Sequence, residues 1–447
     1  MRLLEKKQRN KLLYSLVVCA LILISGSLIL AYHALLLYDL EDSFITPLVQ
    51  QGYLILLTSA ICLILIAVLS WSFKHRMFQN GWRYAFHHSQ LIAKIRRALL
   101  EGGFFIREKN GYLVRLPKIT LNFSDELAKG TLTIQNHIKL EKPLDSVNIS
   151  SALDDFVVDQ FYLDDQENNF IYDIFDTKKQ KQLIFQSADE FISYSQERCS
   201  NYELFIDEAS RIGLHHLLLC GATGSGKTYF LYSYILQALS KPIKYNLYFA
   251  DPKASSLAVL GHKISEENTA RDVEGIITLL KRCHSEMEQR KAVIEEKLNE
   301  KLDATYETFN LSPTIFICDE WASAQAYIST MPKKDRDEVS AILKAIVMQG
   351  RQLGFFILLV TQQSNATTLS TDIRDNLICK ICVGQNDKST LETCFGASGA
   401  SNVRKRRYSV GQGVFCYSGL THQDKPKLLH VPKLDFDILD AVKALLK

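Results

Sequence analysis

The sequence has 447 residues, of which 47% are hydrophobic and 23% charged, and a net charge of +3. That length leaves room for two or three domains, and the apolar content is ordinary for a globular protein. The ten cysteines are scattered, with Cys19 and Cys62 in two long apolar stretches; the others are expected to face a reducing cytoplasm, which argues against a disulfide framework.

Residues 12–38 and 53–73 contain no Lys, Arg, Asp or Glu. Each exceeds the ~20 residues that cross a bilayer core. The first is also longer than the ~7–15-residue apolar core of a secretory signal. They predict a transmembrane hairpin over 1–75. Arg2, Lys6, Lys7, Arg9 and Lys11 precede the first span, and Lys74, Arg76, Arg83, Lys94, Arg96 and Arg97 follow the second. The loop between them holds Asp39, Glu41 and Asp42. This asymmetry predicts a multi-pass protein of the cell membrane with both termini cytoplasmic. The two basic stretches hold eleven cations against Glu5, a surplus of +10, so the rest of this +3 chain is −7. Any nucleic-acid contact must therefore be local.

Residues 76–205 read as a juxtamembrane helix, basic and aromatic over 74–100, and a small α+β adaptor domain. A hairpin turn is expected at Asn110-Gly111. From 206 to 447, apolar strand candidates at 215–220, 243–250, 314–318, 354–361, 377–383 and 413–417 alternate with helical stretches. That alternation predicts a mostly parallel sheet covered by helices. A long helix is expected at about 271–304, with Val273, Ile276, Ile277, Leu280, Met287, Ile294, Leu298 and Leu302 on its packed stripe. Cys379 and Cys382 form one C-x-x-C on a strand and read as small buried residues.

Residues 221–228, Gly221, Ala222, Thr223, Gly224, Ser225, Gly226, Lys227 and Thr228, fit G-x-x-x-x-G-K-[ST]. Glycines let successive backbone N–H groups converge on a triphosphate. Lys227 adds charge near the β- and γ-phosphates, and the Thr228 hydroxyl suits Mg²⁺. A short apolar strand precedes the pattern and a helix follows it, as ATP binding requires. Hydrolysis also needs an acid for Mg²⁺ and a group to orient water. The strand "TIFIC" ends in Asp319 and Glu320, which fit those roles. A rival acidic pair, Asp207-Glu208, precedes the phosphate loop and is set aside. Gln362, at the end of the strand "FFILLVT", is placed to sense the γ-phosphate.

Four segments in order resemble the FtsK/SpoIIIE branch of the FtsK–HerA motor ATPases. They are "HHLLLCGATGSGKT", "YFADPKASSL", "SEMEQR" with "TIFICDE", and "GRQLGFFILLVTQQ". The resemblance covers about 205–420. It implies a RecA-like motor domain, a ring that is commonly hexameric, ATP between subunits and DNA through the pore. It carries Lys227, Thr228, Asp319, Glu320 and Gln362 onto the nucleotide. It also suggests Arg351, or failing that Arg374, as a charge reaching a neighbour's site. The family's usual Arg-Pro after Thr-Gln is replaced here by Gln363-Ser364.

Two spans and a chain ending soon after the motor resemble the coupling proteins of Gram-positive integrative conjugative elements. Such a protein brings DNA and its relaxase to a channel. Chromosome partition, protein export of the type VII kind and non-translocating regulation are the competing readings. Arg404, Lys405, Arg406 and Arg407 form a local basic run suited to DNA phosphates, with Tyr408 beside it for stacking.

Overall fold

The computed structural model describes residues 4–37, 45–108, 113–124, 128–140, 144, 149, 152–153, 155–176, 182–298, 301–362, 369–403, 406–421 and 425–446. The chain divides into two compact units, Met1–Lys179 and Gln180–Lys447.

In the first unit, β1 (Leu4–Glu5) leads into α1 (Lys6–Leu37), and α2 (Ile45–Lys74) follows. Both helices are long and apolar enough to cross a membrane. Their side chains face outward: Leu23 and Leu30 are each 73% exposed. An apolar surface of that extent is not left to water by a soluble domain. Ser25 Oγ donates to the Tyr53 carbonyl at 3.2 Å, tying the two helices side by side. The predicted outer loop, with Asp39, Glu41 and Asp42, lies outside the described residues.

The basic aromatic helix does not run unbroken from 74. Helix α2 stops at Lys74, Arg76 adopts a left-handed φ of 55°, and α3 (Met77–Gly102) begins afresh. Helix α3 buries Tyr84, His88, Leu91, Ile95 and Leu99 at helical spacing. Strands β2 (Ile106–Arg107) and β3 (Leu113–Arg115) pair antiparallel, and β1 pairs parallel with β3. The Asn110-Gly111 turn lies outside the described residues. Strands β4 (Ile119–Ser124), β5 (Lys129–Gln135), β6 (Phe156–Leu163) and β7 (Asn169–Asp176) form an antiparallel sheet in the order β4-β5-β7-β6. Leu132 and Ile134 alternate inward from β5 and share a core with Leu91, Ile95 and Leu99.

The second unit begins earlier than the break expected at 206. It contains β8 (Ile184–Phe185), α4 (Ala188–Arg198), β9 (Glu203–Phe205) and β10 (Arg211–Gly213). The reason is burial. Phe185, Phe191 and Phe205 belong to the core of this unit, and β8 pairs with β19 (Lys433–Leu434). Pairing with so distant a segment leaves no local signal in 184–205. Asp207, of the rival acidic pair, lies between β9 and β10, which pair antiparallel. It is therefore not at the end of a parallel strand.

The main succession is β11 (Leu217–Cys220), α5 (Lys227–Leu239), β12 (Asn246–Ala250), α6 (Ser256–Ile264), β13 (Thr269–Ala270), α7 (Val273–Leu298) and β14 (Thr314–Cys318). Then come α8 (Trp321–Thr330), α9 (Lys333–Leu353), β15 (Phe355–Thr361), α10 (Thr371–Asn376), β16 (Cys379–Val383) and α11 (Lys388–Asn402). Strands β17 (Gln412–Cys416) and β18 (Lys427–His430), and helix α12 (Ile438–Leu445) beyond β19, complete the unit. The sheet order is β13-β12-β14-β15-β11-β16-β17-β18. The first six strands are parallel, and β17 and β18 run antiparallel. Strand β11 lies between β15 and β16, so its C-terminal end opens at the centre of the sheet, where ligands bind in such folds.

Helix α7 buries Ile276, Ile277, Leu280, Met287 and Ile294 as its spacing predicts. Leu302 is a correction: it lies beyond the helix and is 81% exposed. Cys379 and Cys382 are fully buried on β16. Cys382 gathers with Cys220 and Cys394, their sulfur atoms within 4.8 Å of one another. Burial pushes the Cys382 and Cys394 thiols well above their ordinary range.

Candidate nucleotide site

The phosphate loop joins β11 to α5. Gly226 takes a φ of 111° as the N-cap of α5, and no side chain caps that helix end. The first N–H groups of α5 are thus left for an anion. Two glycines are required by close approach. A Cβ on Gly221 would meet the Val383 carbonyl oxygen at 2.5 Å, and one on Gly226 would meet the Gly411 nitrogen at 2.9 Å. Ser225 Oγ is buried with no hydrogen-bond partner among the described residues.

Lys227 folds back over the loop, its Nζ donating to the Gly221 carbonyl at 2.5 Å and the Ala222 carbonyl at 2.9 Å. Burial lowers its pKa, while Asp319 and Glu320 oppose that shift. Those carboxylates lie where β14 ends. Burial first, then Asp251 and Glu320, push the Asp319 carboxyl above its ordinary value. The backbone N–H of Glu320 donates to Asp319 Oδ1 at 3.0 Å. Glu320 is buried and held at a φ of 53°, a left-handed conformation that a non-glycine residue adopts at a cost.

Two further residues of this cluster come from the segment "ADPK", whose sequence alone does not show what they touch. Asp251 is fully buried at the end of β12. Its carboxylate accepts from the Ser255 backbone N–H and hydroxyl, both at 2.7 Å, and from the Ala258 N–H at 3.1 Å. It therefore fixes the turn into α6. Lys253, on that turn, lies 3.2 Å from Glu320 Oε2. Gln362 also reaches the loop: Thr223 Oγ1 donates to Gln362 Oε1 at 3.0 Å. The Gly221 N–H donates to the Thr361 carbonyl at 3.3 Å, fastening the end of β15 to the loop.

A divalent cation fits this donor set. Thr228 and Asp319 offer hard oxygen ligands, and the raised Asp319 carboxyl sits among acids that a cation would relieve.

The arginine candidates are elsewhere. Arg351 is on the last turn of α9, where its charge acts on His215 and His216, just before β11 begins. That is the end of the strand opposite the phosphate loop. Arg374 is on α10 and pairs with Asp375 at 3.3 Å. Neither is brought to the loop of its own chain. Arg404 and Lys405 lie outside the described residues. Arg406 and Tyr408 line a cavity of about 570 Å³ with Gly384, Gln385, Asn386 and Lys388. This cavity borders the phosphate loop, because a Cβ on Gly384 would meet Ser225 Cβ at 2.5 Å and the Gly411 N–H donates to the Ser225 carbonyl at 2.8 Å.

Residues 186–315 match the FtsK/SpoIIIE family. The chain carries an FtsK/SpoIIIE-type motor ATPase domain. It is 24% identical over 368 residues to the FtsK domain-containing protein YdcQ of Bacillus subtilis (strain 168), covering 80% of this chain and 73% of that protein. It is 25% identical over 277 residues to the DNA translocase FtsK of Pasteurella multocida (strain Pm70), covering 54% of this chain and 28% of that protein. The chain thus spans under a third of that FtsK. Among solved structures, the conjugation coupling protein TcpA of pCW3, in its monomer form with ATPγS, is similar. Its TM-score is 0.49 at 16% identity, covering 80% of this chain and 99% of that one.

Proposed function

We propose that this chain is a membrane-anchored, ATP-driven DNA translocase. It works as a ring of identical subunits, with six as the expected number. Its task is to deliver DNA, together with a relaxase, to the channel proteins of a conjugative system. The reading takes 1–75 as a membrane hairpin with both termini cytoplasmic, 76–205 as an adaptor and 206–447 as the motor, with the motor's edge shifted toward 180.

The observation that supports it is the meeting of three strand ends on one phosphate loop: Lys227 after β11, Asp319-Glu320 after β14, and Gln362 after β15. In this reading the backbone of 221–228 and Lys227 hold the phosphates of ATP. Thr228 and Asp319 would hold Mg²⁺, which when bound would supply positive charge for the phosphates. Glu320 orients and deprotonates the attacking water. Gln362 relays the state of the γ-phosphate through Thr223. Arg351, far from its own loop, serves a neighbouring subunit's nucleotide, with Arg374 as second choice. The relatives named as DNA translocases support DNA as the cargo, and the run 404–407 supplies the candidate contacts.

ATPase turnover of the purified chain, with and without duplex or single-stranded DNA, tests the reading. DNA should stimulate turnover, and Lys227→Ala should abolish nucleotide binding. An oligomeric preparation that neither binds DNA nor responds to it would favour protein export instead.

A further inference from the structure

A second cavity, of about 590 Å³, lies in the first unit, between the start of α1, the end of α2, helix α3 and the β3–β4 segment. Six cations line it: Lys6, Lys7, Lys74, Arg96, Arg115 and Lys118. Glu5 is the one carboxylate in the lining; it is buried and pairs with Arg96. Lys6 turns to Glu108, 3.2 Å away. Among the described residues, Lys7, Lys74, Arg115 and Lys118 have no carboxylate within 4.0 Å.

Four uncompensated cations around one small volume repel each other, and an anion with several acceptor oxygens relieves that repulsion. The place of the cavity says which anion. Lys6 is the first residue of α1 and Lys74 the last of α2. The cavity therefore opens at one shared end of both apolar helices, at the level where headgroup phosphates lie. Ile92, Ile106 and Ile119 in the lining give it an apolar side as well.

We propose that this cavity binds the phosphate of an anionic phospholipid headgroup from the leaflet that meets the basic ends of α1 and α2. The proposal rests on the two helices crossing a membrane, and is independent of what the motor moves. Lipid bound there ties the membrane hairpin to the strand-rich domain through Arg115 and Lys118.

The test uses the purified full chain in detergent. It is titrated with phosphatidylglycerol, with phosphatidylcholine and with inorganic phosphate, and bound ligand is read by native mass spectrometry. Phosphatidylglycerol should bind about 10-fold or more tightly than phosphatidylcholine. The double variant Arg115→Gln with Lys118→Gln should lose that preference while keeping its lipid-free unfolding midpoint. Lys129→Gln, on β5 and outside the cavity lining, should keep it. Equal binding of the two lipids, or an unchanged preference in the first double variant, overturns the proposal. So does displacement of phosphatidylglycerol by inorganic phosphate at a similar concentration, which would make the site one for soluble phosphate. Alkaline carbonate extraction separates the premises: release of the wild-type chain sinks the membrane reading and the proposal together, whereas a retained chain without lipid preference sinks the proposal alone.

Discussion

Lys253 places its ammonium 3.2 Å from the carboxylate of Glu320, linking the turn after β12 to the start of α8. Glu320 is buried and held at a positive φ, so its side chain has few positions open to it. Lys253 is half exposed, which makes the pair a restraint on Glu320 more than a source of stability. The lysine thus restrains where the Glu320 carboxylate points.

Two variants test the pair. Glu320→Gln should bind ATP normally and hydrolyse it about 10²–10⁴-fold more slowly. Lys253→Ala should also keep ATP binding but slow hydrolysis less, by roughly 10-fold, because the Glu320 carboxylate loses the contact that holds its direction. Phosphate release and fluorescent-nucleotide binding read both. Wild-type turnover in Glu320→Gln would remove its assigned role. Unchanged turnover in Lys253→Ala would reduce Lys253 to a surface cation.

Thr223 and Gln362 carry the second prediction. Their hydrogen bond is direct, 3.0 Å between side chains on different segments. If Gln362 reads the γ-phosphate through Thr223, Thr223→Val and Gln362→Ala should each lower DNA-stimulated turnover. The double variant should then cost little more than either alone, since both single changes break the same bond. A neutral hydrogen bond contributes about 1 kcal/mol, or roughly 5-fold, as a lower bound for each effect. Fully additive losses would show that the two residues act separately.

The central strands, the phosphate loop and the acidic pair were legible because each is written in a short continuous stretch. Buried parallel strands such as Leu217–Cys220 and Thr314–Cys318 read as unbroken apolar runs. What the sequence hid was contact between stretches. Lys253 reaches Glu320 only because β12 and β14 are neighbours in the sheet. Phe191 reads as an adaptor residue until the pairing of β8 with β19 places it in the motor core. Leu302 keeps the helical period of α7 after the helix has ended, and a period alone does not say where packing stops. The basic run shows the same limit, because its charge is evident but not that Gly411, a few residues on, hydrogen-bonds the phosphate loop.

That last contact gives the third prediction. By composition alone the run 404–407 suits DNA phosphates. Arg406, however, lines the cavity beside the loop and stacks over Tyr408, 5.6 Å from the ring centre. Arg406→Gln should therefore raise the KM for ATP without DNA present, by about 10-fold, as expected for losing one charge-assisted contact. The DNA role of the run predicts a separate effect: the slope of log affinity against log salt should flatten by about 0.7–0.9 per lost phosphate contact. An unchanged KM with a flattened salt slope would return Arg406 to DNA. A raised KM with an unchanged slope would take it off DNA altogether.

The fourth prediction concerns acid stability of the motor. His216 is 1% exposed, and its Nδ1 accepts the Ile357 N–H at 3.1 Å, while its carbonyl accepts the Cys379 N–H at 3.2 Å. It thus fastens the start of β11 to both neighbouring strands. Burial first, then His215 and Arg351, push its pKa down to about 3. The folded value lies below the ordinary 6.5 of an unfolded chain, so between the two the unfolded state binds more protons. The stability that neutral His216 contributes is fully present above about pH 6.5 and is lost as pH falls towards 3. From pH 7 to 5 that one group should account for roughly 2 kcal/mol of lost stability. His216→Asn keeps a hydrogen-bond acceptor and removes the titration. Its stability should be lower than wild type at pH 7.5, yet fall less between pH 7 and 5. Denaturant unfolding of both proteins across that range measures the difference, and parallel pH curves would show that His216 titrates no differently in the folded chain.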